Sequence, residues 1–549
     1  WLSEEMAFCV RPVLAALALL CLMSFLPLPL ARPLIAHESR HFPKMDSTST
    51  SDATPAPNSK LPQMWEISTR PWLYSLSLKY NKNITKLSQI PMSEFQNIRD
   101  KGMDVVWLMG LWQLGAYGLH FDRTDPGLQQ VYSQVLPGYT EADVIGSPYA
   151  VYNYELNPEL GTHNDLVALK KSLNAMGLKL MTDFVPNHSA VDAPWVAQHP
   201  SYYVRVPKGS NPPYDSSRYY NSSFAYGSAG WWGSSWMDTL QYNYWDMDFR
   251  KAQTERLALV ASVSDYIRCD MAYLCLNDQV ASNWGSQLAS WGYQRPQSEF
   301  WGDAIKATKA AFPGVQFLAE VYDPWGGQLQ SLGFDFTYDK HLYDLLGTGN
   351  LDNLRGYLAN TDIGYLSRGA HFVENHDEPR AAAFFGSNQR ADGAAMVAMT
   401  VPGMRFYFEG QQDGFRNRLQ VQLRRAASEP VALGVPQFYD IFTRIIARPV
   451  FHTGTWKYLD VSNDGTSWRL MSWKWTDSNE RLVVVVNYSD TTGAGSVVLN
   501  DAQPINGNDT IPVTDLISGQ TWMRSAHQLQ TQGLFTVIQP WSCQILKYF

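Results

Sequence analysis

The sequence predicts an α/β protein: a (β/α)8 barrel with an inserted loop domain after its third strand and a C-terminal antiparallel β-sandwich. Short apolar runs alternate with helical patterns from about residue 65 to residue 408, which favours parallel strands separated by helices. This alternation is interrupted once at length, over residues 189–245. After about residue 453 the chain carries only short β-type runs separated by Gly, Asn and Asp.

The predicted barrel strands are the apolar runs of the alternating region. Eight of them are candidates, at residues 72–76, 104–109, 178–185, from 265, 315–321, 334–338, 369–374 and 404–408. Helical patterns lie between them, as over residues 162–176, where Leu166, Leu169 and Leu173 form one apolar stripe. Eight strands with intervening helices favour a closed barrel.

Changes in composition along the chain set the predicted domain boundaries. Residues 37–64 are rich in Ser, Thr, Pro and Ala and are expected to form a disordered linker. The barrel is assigned to residues 65–452. Within it, residues 189–245 are polar and aromatic, and a loop this long is usually a lid or a small inserted domain. Residues 453–549 form the predicted sandwich.

The N-terminal segment has the pattern of a targeting sequence. Arg11 precedes an apolar run over residues 13–30 that two prolines interrupt and small residues follow. These features are typical of a secretory signal over residues 1–36. The run is also close to the length that spans a bilayer, so an uncleaved membrane anchor is the alternative. In both cases the body of the protein is expected to be secreted or extracytoplasmic, with membrane contact only if the segment is retained.

Charge and cysteine content exclude other classes. The net charge of the 549 residues is −8, without long charged runs, which gives no electrostatic case for nucleic acid. Outside the targeting segment the cysteines are Cys269, Cys275 and Cys543, a set too sparse for a disulfide framework. The 20 Trp and 29 Tyr suit the apolar faces of sugars as well as an ordinary core.

Polar clusters follow four of the predicted strands. They read Asp183–His188, Arg268–Asp270, Glu320–Asp323 and Glu374–Asp377. In barrels of this kind catalytic groups lie at the carboxyl ends of the strands. A single acidic residue there is often only a helix cap, but four ends rich in Asp, Glu, His, Asn and Arg are not explained by capping.

The pair Arg268 and Asp270 shows what such a cluster can do. Side chains alternate along a strand, so these two project from the same face. A buried charge persists only when it is paired. The pair is therefore either a structural ion pair or a nucleophilic carboxylate held ionised by its arginine.

Asp270, Glu320 and Asp377 supply three carboxylates from separate strands. Crowded carboxylates repel, so one stays protonated while another stays ionised. Cleavage of a glycosidic bond needs that division into one acid and one nucleophile. A catalytic metal site is the alternative, but no His-x-x-x-His or similar paired spacing appears. The sequence therefore favours sugar chemistry.

In this order, the clusters resemble the short sequence regions of the α-amylase family, glycoside hydrolase family 13. The four regions correspond to Asp183–His188, Arg268 with Asp270, Glu320, and Phe372–Asp377. Gln241–Tyr244 resembles a motif near the end of that family's inserted domain. The resemblance spans about residues 72–408 and a C-terminal β-domain.

The resemblance implies a role for each acidic residue. Asp270 would be the nucleophile that forms a covalent glycosyl-enzyme intermediate, and Glu320 the general acid and then the base. Asp377 would bind hydroxyls and stabilise the oxocarbenium-like transition state. Arg268 would orient Asp270, with Asp183 as its structural partner.

Four further residues receive binding roles from the resemblance. His188 and His376 would hydrogen-bond sugar hydroxyls where cleavage occurs, and Tyr149 would stack on that sugar, with a core tyrosine as its alternative. Asn187 matches a position that often binds a structural calcium, although Ca²⁺ takes 6–8 oxygen ligands. The resemblance implies no other cofactor.

One departure from the family pattern bears on the reaction. The second region usually continues with a Lys-His pair that contacts the leaving-group side of the substrate, and here those positions are Tyr273 and Leu274. The chain thus resembles a branch of the family that lacks the pair. Its loss indicates a different acceptor side.

The predicted function is that of a retaining α-glycosidase. It would hydrolyse α-glucosidic bonds in α-glucans or maltooligosaccharides by double displacement, with an α-linked oligo- or polysaccharide as its partner. An α-glucan transglycosylase that uses the same intermediate is the alternative. A non-catalytic amylase-like ectodomain of a transporter subunit is a third hypothesis, since fold alone does not fix function. The three carboxylates argue against it.

Overall fold

A computed structural model describes residues 61–230, 233–462, 465–504 and 509–548. The predicted targeting segment and residues 37–60 of the predicted linker lie outside the described residues. Over the described ranges, no helix combines the length and the apolar character that a membrane crossing needs.

Eight parallel strands close into the predicted barrel. They are β1 (Gln63–Ser68), β2 (Val105–Met109), β3 (Lys179–Phe184), β4 (Tyr266–Cys269), β5 (Gln316–Ala319), β6 (Phe336–Tyr338), β7 (Gly369–His371) and β8 (Met404–Phe408). Each strand pairs with its neighbours in chain order, and β8 pairs with β1. The carboxyl ends of all eight strands therefore lie at one end of the barrel.

The first barrel strand is not the predicted one. Residues 72–76 belong to the helix Thr69–Tyr80, while β1 begins at Gln63, inside the segment that the sequence assigns to the linker. Trp72 and Leu76 are buried one helical turn apart. A five-residue apolar run does not distinguish a strand from a buried helix by periodicity alone.

Helices follow the barrel strands and pack around them. In chain order they are Thr69–Tyr80, Met92–Asp100, Ala116–Thr124, Pro126–Val135, His163–Ala175, Pro194–Gln198, Met247–Val263, Asn277–Ser290, Phe300–Ala311, Gly326–Ser331, Lys340–Thr348, Leu351–Asn360, Ile363–Leu366, Ala381–Phe384, Asn388–Thr400, Val435–Ile446 and Pro449–Thr453. The predicted helix at residues 162–176 is thus formed over His163–Ala175, with Thr162 accepting a hydrogen bond from the backbone of Asp165 as its N-cap.

The barrel interior is apolar at its centre and charged at one end. The apolar part includes Met64, Trp107, Met181, Leu318 and Phe406. Two residues further along their strands, the same inward-facing register places Glu66, Asp183 and Glu320. Arg268 of β4 is level with Asp183 of β3. The alternation of the strands thus delivers charged groups to the carboxyl end of the barrel.

The interruption after β3 contains a small antiparallel sheet. Its strands are His188–Ala190, Tyr219–Tyr220, Phe224–Ser228 and Ser235–Gln241. His188 pairs with Gln241, so the residues just after β3 lead directly into this sheet.

The C-terminal region forms two antiparallel sheets. The six-stranded sheet contains β9 (Thr455–Leu459), β10 (Leu470–Thr476), β11 (Arg481–Asn487), β13 (Thr510–Asp515), β14 (Thr521–Ser525) and β16 (Ser542–Lys547), and the two-stranded sheet contains β12 (Gly493–Val497) and β15 (Leu534–Ile538); the short helix Ala526–Thr531 lies between β14 and β15. Val483 and Val485 pack with the two-stranded sheet, whereas Val484 and Val486 pack in the cluster that contains the barrel helices. The large sheet is therefore buried on both faces, and the predicted sandwich is confirmed with unequal sheets.

Candidate active site

Arg268 joins two of the predicted catalytic carboxylates. Its Nη1 donates a hydrogen bond to Asp270 at 2.8 Å, and its Nη2 donates one to Glu320. The guanidinium is fully buried and also lies 3.9 Å from Asp183. Its planar fork suits two acceptors at once. The structure thus brings Asp270 and Glu320 together on one cation at the carboxyl end of the barrel.

Asp183 is held by hydrogen bonds from β2 and from the residue just after it. Its carboxylate accepts a hydrogen bond from Trp107 Nε1 at 3.1 Å and from the backbone N–H of Gly110 at 2.9 Å. Burial raises the pKa of Asp183 to about 6, although Arg268 opposes the rise. Its carboxylate lies 3.9 Å from Arg268, the residue whose structural partner the resemblance implies it to be.

Donors reach both oxygens of Glu320. Tyr322 donates to Oε1 at 2.9 Å, and the backbone N–H of Met271 donates to Oε2 at 2.9 Å. Met271 adopts a left-handed conformation with φ of 43°, which costs a non-glycine residue about 1–2 kcal/mol. Such strain is typical of functional sites. Here it turns the chain after Asp270 so that an N–H faces Glu320.

His376 lies between two carboxylates. Its Nδ1 is 2.5 Å from Glu66 Oε1, and its Nε2 is 2.9 Å from Asp377 Oδ2. Burial alone would lower the pKa of His376, but Asp377 and Glu66 raise it to about 10. The imidazolium in turn holds the pKa of Asp377 well below its usual range, against the effect of burial. The imidazolium form of His376 and the ionised form of Asp377 thus stabilise each other.

The pKa of Asp270 is shifted in the opposite direction to that of Asp377. Burial raises its pKa well above the usual range, Arg268 opposes the rise, and Glu320 and Asp377 add to it. Asp270 and Asp377 therefore differ in how readily they hold a proton, and the environment of Asp270 favours its protonated form.

Tyr149 and His188 border the same site. The ring of Tyr149 stacks on His376 with centroids 5.4 Å apart, and its hydroxyl lies 2.7 Å from His376 Nε2. His188 is buried against Trp236, with ring centroids 5.0 Å apart. Burial lowers the pKa of His188 to about 3, although a hydrogen bond with the Tyr149 backbone opposes this. It is therefore neutral, with one ring nitrogen able to accept.

Asn187 contacts the inserted sheet. Its Oδ1 and its backbone oxygen accept hydrogen bonds from Gln241 Nε2, at 2.9 Å and 3.0 Å. The part of the chain that the structure describes contains no group of three or more His, Cys, Asp or Glu arranged to hold a metal ion. Ca²⁺ also takes amide and backbone oxygens, so the calcium site at Asn187 stays a prediction of the resemblance.

Three aromatic rings lie beside Glu320, and we call them the aromatic wall: Tyr273, Tyr322 and Trp325. Tyr273 stacks on Trp325 with centroids 4.9 Å apart at 14° and meets Tyr322 edge-on at 6.0 Å. Leu274, the neighbour of Tyr273, is buried. The two positions where the resemblance implies a Lys-His pair therefore contribute one ring and one apolar side chain.

Sequence reasoning missed Glu66 and Tyr322. Glu66 follows Met64 in the inward register of β1, and a charged residue ending an apolar alternation was its signal. Tyr322 lies two residues after Glu320. Because side chains two residues apart point to the same side of an extended chain, this spacing could have predicted that Tyr322 lies near Glu320.

Comparisons with known proteins place these features in context. The profile of the family described as alpha amylase, catalytic domain, matches residues 96–262, which include Asp183–His188 and end before Asp270. The alpha-amylase MalA of Haloarcula japonica is 24% identical over 385 residues, 67% of this chain and 50% of that enzyme. An alpha-1,4-glucan:maltose-1-phosphate maltosyltransferase of Rhodospirillum rubrum is 25% identical over 258 residues, 44% of this chain and 30% of that enzyme.

A solved structure shares the fold over most of the chain. The maltogenic alpha-amylase AmyB from Thermotoga neapolitana superposes with a TM-score of 0.61 at 19% identity, covering 89% of this chain and 98% of that one. By contrast, the alignment spans half the length of the Haloarcula enzyme and less than a third of the Rhodospirillum enzyme.

Proposed function

We propose that the chain is a member of the α-amylase family, to which it is similar in sequence and fold, and that it cleaves α-glucosidic bonds in α-glucans or maltooligosaccharides with retention of configuration. The observation that supports this most directly is the guanidinium of Arg268, which bonds to both Asp270 and Glu320. A retaining mechanism needs two neighbouring carboxyl groups, about 5–5.5 Å apart.

The proposed reaction has two displacements. In the first, the Asp270 carboxylate attacks the anomeric carbon while Glu320 gives its proton to the glycosidic oxygen, so the bond to the leaving sugar breaks. In the second, ionised Glu320 takes a proton from water, and the water oxygen displaces Asp270 from the same carbon. Two inversions restore the α-configuration, and both residues return to their initial protonation states.

The other charged groups act on the transition state. Positive charge develops on the sugar ring as the bond breaks, and the carboxylate of Asp377, kept ionised by His376, faces that charge. His376 and His188 offer a cationic donor and a neutral ring to sugar hydroxyls. Fixed groups of this kind stabilise a transition state without reorganising during the reaction.

Substitution of the nucleophile tests this proposal. We expect Asp270→Asn to lower kcat on maltotriose at least about a thousandfold, because loss of a covalent nucleophile has effects of this order. Asp278→Asn is the matched control, since Asp278 is an exposed aspartate paired with Arg295. A fully active Asp270→Asn enzyme would refute the mechanism.

The general acid has a separate signature. Glu320→Gln should still release a burst of fluoride from α-glucosyl fluoride, because this leaving group needs no proton in the first displacement, while losing activity on maltotriose. Equal losses on both substrates contradict the role proposed for Glu320.

The aromatic wall favours a second candidate function, transglycosylation. Tyr273, Tyr322 and Trp325 offer flat rings on the side where the acceptor binds, and rings suit the apolar faces of a sugar better than they suit water. A sugar hydroxyl would then replace water in the second displacement. Products longer than maltotriose, formed from maltotriose alone, support transfer, whereas glucose and maltose alone support hydrolysis.

We also propose an extracytoplasmic location, from the signal-like pattern of the first 36 residues. N-terminal sequencing of the protein recovered from the culture medium tests it. A mature start near Arg32 or His37 supports cleavage, and retention of the apolar run in a membrane fraction supports an anchor.

A further inference from the structure

Glu66 is a buried carboxylate that the proposed reaction does not yet use. It lies near the end of β1, has no exposed surface and points into the barrel beside the active site. Its Oε1 lies 2.5 Å from His376 Nδ1, while its Oε2 is buried without a hydrogen-bond partner. Burying a carboxylate with one unsatisfied oxygen costs free energy. The contact with His376 is the interaction that offsets this cost.

Several charged groups face His376 from the elements around it. Glu66 lies on β1, Asp183 on β3 and Arg268 on β4, and each of these interacts electrostatically with this network. From the loops, Asp377 and Tyr149 reach Nε2, and Arg418 Nε lies 3.5 Å from the backbone oxygen of His376. Glu66 is the group that bonds to Nδ1.

The two ring nitrogens therefore have separate tasks. Nδ1 bonds to Glu66, and Nε2 faces Asp377 and Tyr149 on the opposite edge of the ring. A carboxylate that accepts from one ring nitrogen of a histidine fixes the tautomer and the orientation of the ring and stabilises the imidazolium. Glu66 is placed to do this from behind the substrate site.

We propose that Glu66 is a positioning residue that keeps His376 as an imidazolium, with Nε2 directed at Asp377 and at a hydroxyl of the bound sugar. Glu66 itself does not touch the substrate. Its effect on turnover rests on the proposed function, whereas its effect on the charge of His376 does not. The raised pKa of His376 agrees with this geometry, since burial alone would lower it.

The amide variant separates charge from shape. Glu66→Gln keeps the size of the side chain and an oxygen for Nδ1 but removes the negative charge. We expect the pKa of His376 to fall by at least about one unit, since a neighbouring carboxylate raises it by about 1–3 units. The titration is followed by ¹⁵N NMR of the imidazole nitrogens, and the His376 signals are those missing from a His376→Asn variant.

Activity provides the second measurement. With maltotriose at saturating concentration, we expect the alkaline limb of kcat for Glu66→Gln to move to lower pH by about one unit or more, because His376 loses its proton at a lower pH and then no longer stabilises ionised Asp377. Glu66→Asp retains the carboxylate, so part of the activity and part of the pKa elevation should return. Glu94→Gln is the matched control, because Glu94 is a buried glutamate that pairs with Lys79 away from the site.

The outcomes are distinguishable. An unchanged His376 titration in folded Glu66→Gln overturns the proposal. If Glu66→Gln does not fold, Glu66→Asp decides: a His376 pKa below that of the wild type supports the proposal, and an unchanged one overturns it. If the wild type turns over no α-glucan, the proposed function fails, while the NMR titration still tests Glu66.

Discussion

At the scale of single residues, Asp270 shows a conflict between burial and reactivity. As the proposed nucleophile it must be ionised to attack carbon, yet burial raises its pKa well above the usual range and only Arg268 opposes this strongly. Below that pKa Asp270 is protonated and unreactive. We therefore expect the acid limb of kcat/KM to lie above the ordinary aspartate value of about 3.9, as measured by the pH profile on maltotriose.

Arg268→Lys provides the comparison for this profile. Lysine keeps a positive charge but is a point cation that does not bridge two carboxylates as a planar guanidinium does. The ionised form of Asp270 loses its bonded partner, so the acid limb should move to higher pH. A wild-type acid limb at or below pH 4 contradicts this account of Asp270.

The hydroxyl of Tyr322 has a separable effect. Tyr322→Phe removes the hydrogen bond to Glu320 but keeps the ring in the aromatic wall. Because hydrogen bonds to charged groups contribute about 1.5–3 kcal/mol, we expect kcat/KM to fall about 10- to 150-fold. Tyr488→Phe is the control, since that hydroxyl bonds to the backbone of Leu346 far along the chain. Unchanged kcat/KM in Tyr322→Phe would show that this bond does not orient the acid.

The site residues differ in how far the sequence revealed them. The two-residue spacing of Arg268 and Asp270 predicts a shared face, and the structure brings them into contact. The contact between Glu66 and His376 joins residues 310 positions apart, and no local spacing encodes it. Local alternation therefore predicts partners on one strand, while partners on distant strands depend on the register of the closed barrel.

At the scale of elements, the sequence of β1 explains why the first barrel strand was predicted at the wrong place. Strands that are buried on both faces have continuous apolar sequences, and such runs predict β2 to β8. β1 contains Gln63 and Glu66, both fully buried. Gln63 bonds to the backbone of Gly102 and to Tyr407, and Glu66 bonds to His376. These polar residues form hydrogen bonds within the barrel and the site. They also interrupt the apolar run from which a buried strand is predicted.

The inserted sheet is tied to β3 through Asn187 and Gln241. Gln241 is buried and donates to two oxygens of Asn187, so Gln241→Ala leaves buried acceptors unsatisfied. We expect a loss of stability of about 1–3 kcal/mol and a higher KM, because His188 pairs with Gln241 across the sheet. Denaturant unfolding and kinetics on maltotriose measure the two effects. Unchanged stability would show that this link is not structural.

The same contacts lead to an expectation about calcium. The oxygens of Asn187 already accept hydrogen bonds from Gln241, so we expect chelation with EGTA to leave the melting temperature unchanged. The measurement is thermal unfolding with EGTA and with added CaCl2. A lower melting temperature in EGTA, restored by CaCl2, would indicate a calcium site after all.

At the scale of the whole molecule, the C-terminal sheet packs against the barrel helices and stabilises them. Trp473 and Trp475 of β10 are fully buried in the cluster that contains the barrel helices. Trp475 Nε1 donates to the backbone oxygen of Thr400 at 2.7 Å, at the end of the helix Asn388–Thr400. That helix precedes β8, so the sheet stabilises an element of the barrel wall.

This contact predicts a large effect of Trp475 far from the active site. Trp475→Ala removes a buried indole and leaves the carbonyl of Thr400 without its donor, so we expect a loss of about 3–5 kcal/mol in the free energy of unfolding. Trp468→Ala is the matched control: Trp468 is 55% exposed, and surface substitutions usually change stability by less than about 0.5 kcal/mol.

Denaturant unfolding should be followed by fluorescence and by residual activity on maltotriose. If the sheet supports the barrel, activity and fluorescence are lost together at a lower denaturant concentration in Trp475→Ala. Activity that survives after the C-terminal sheet has unfolded would show that the barrel is independent of it.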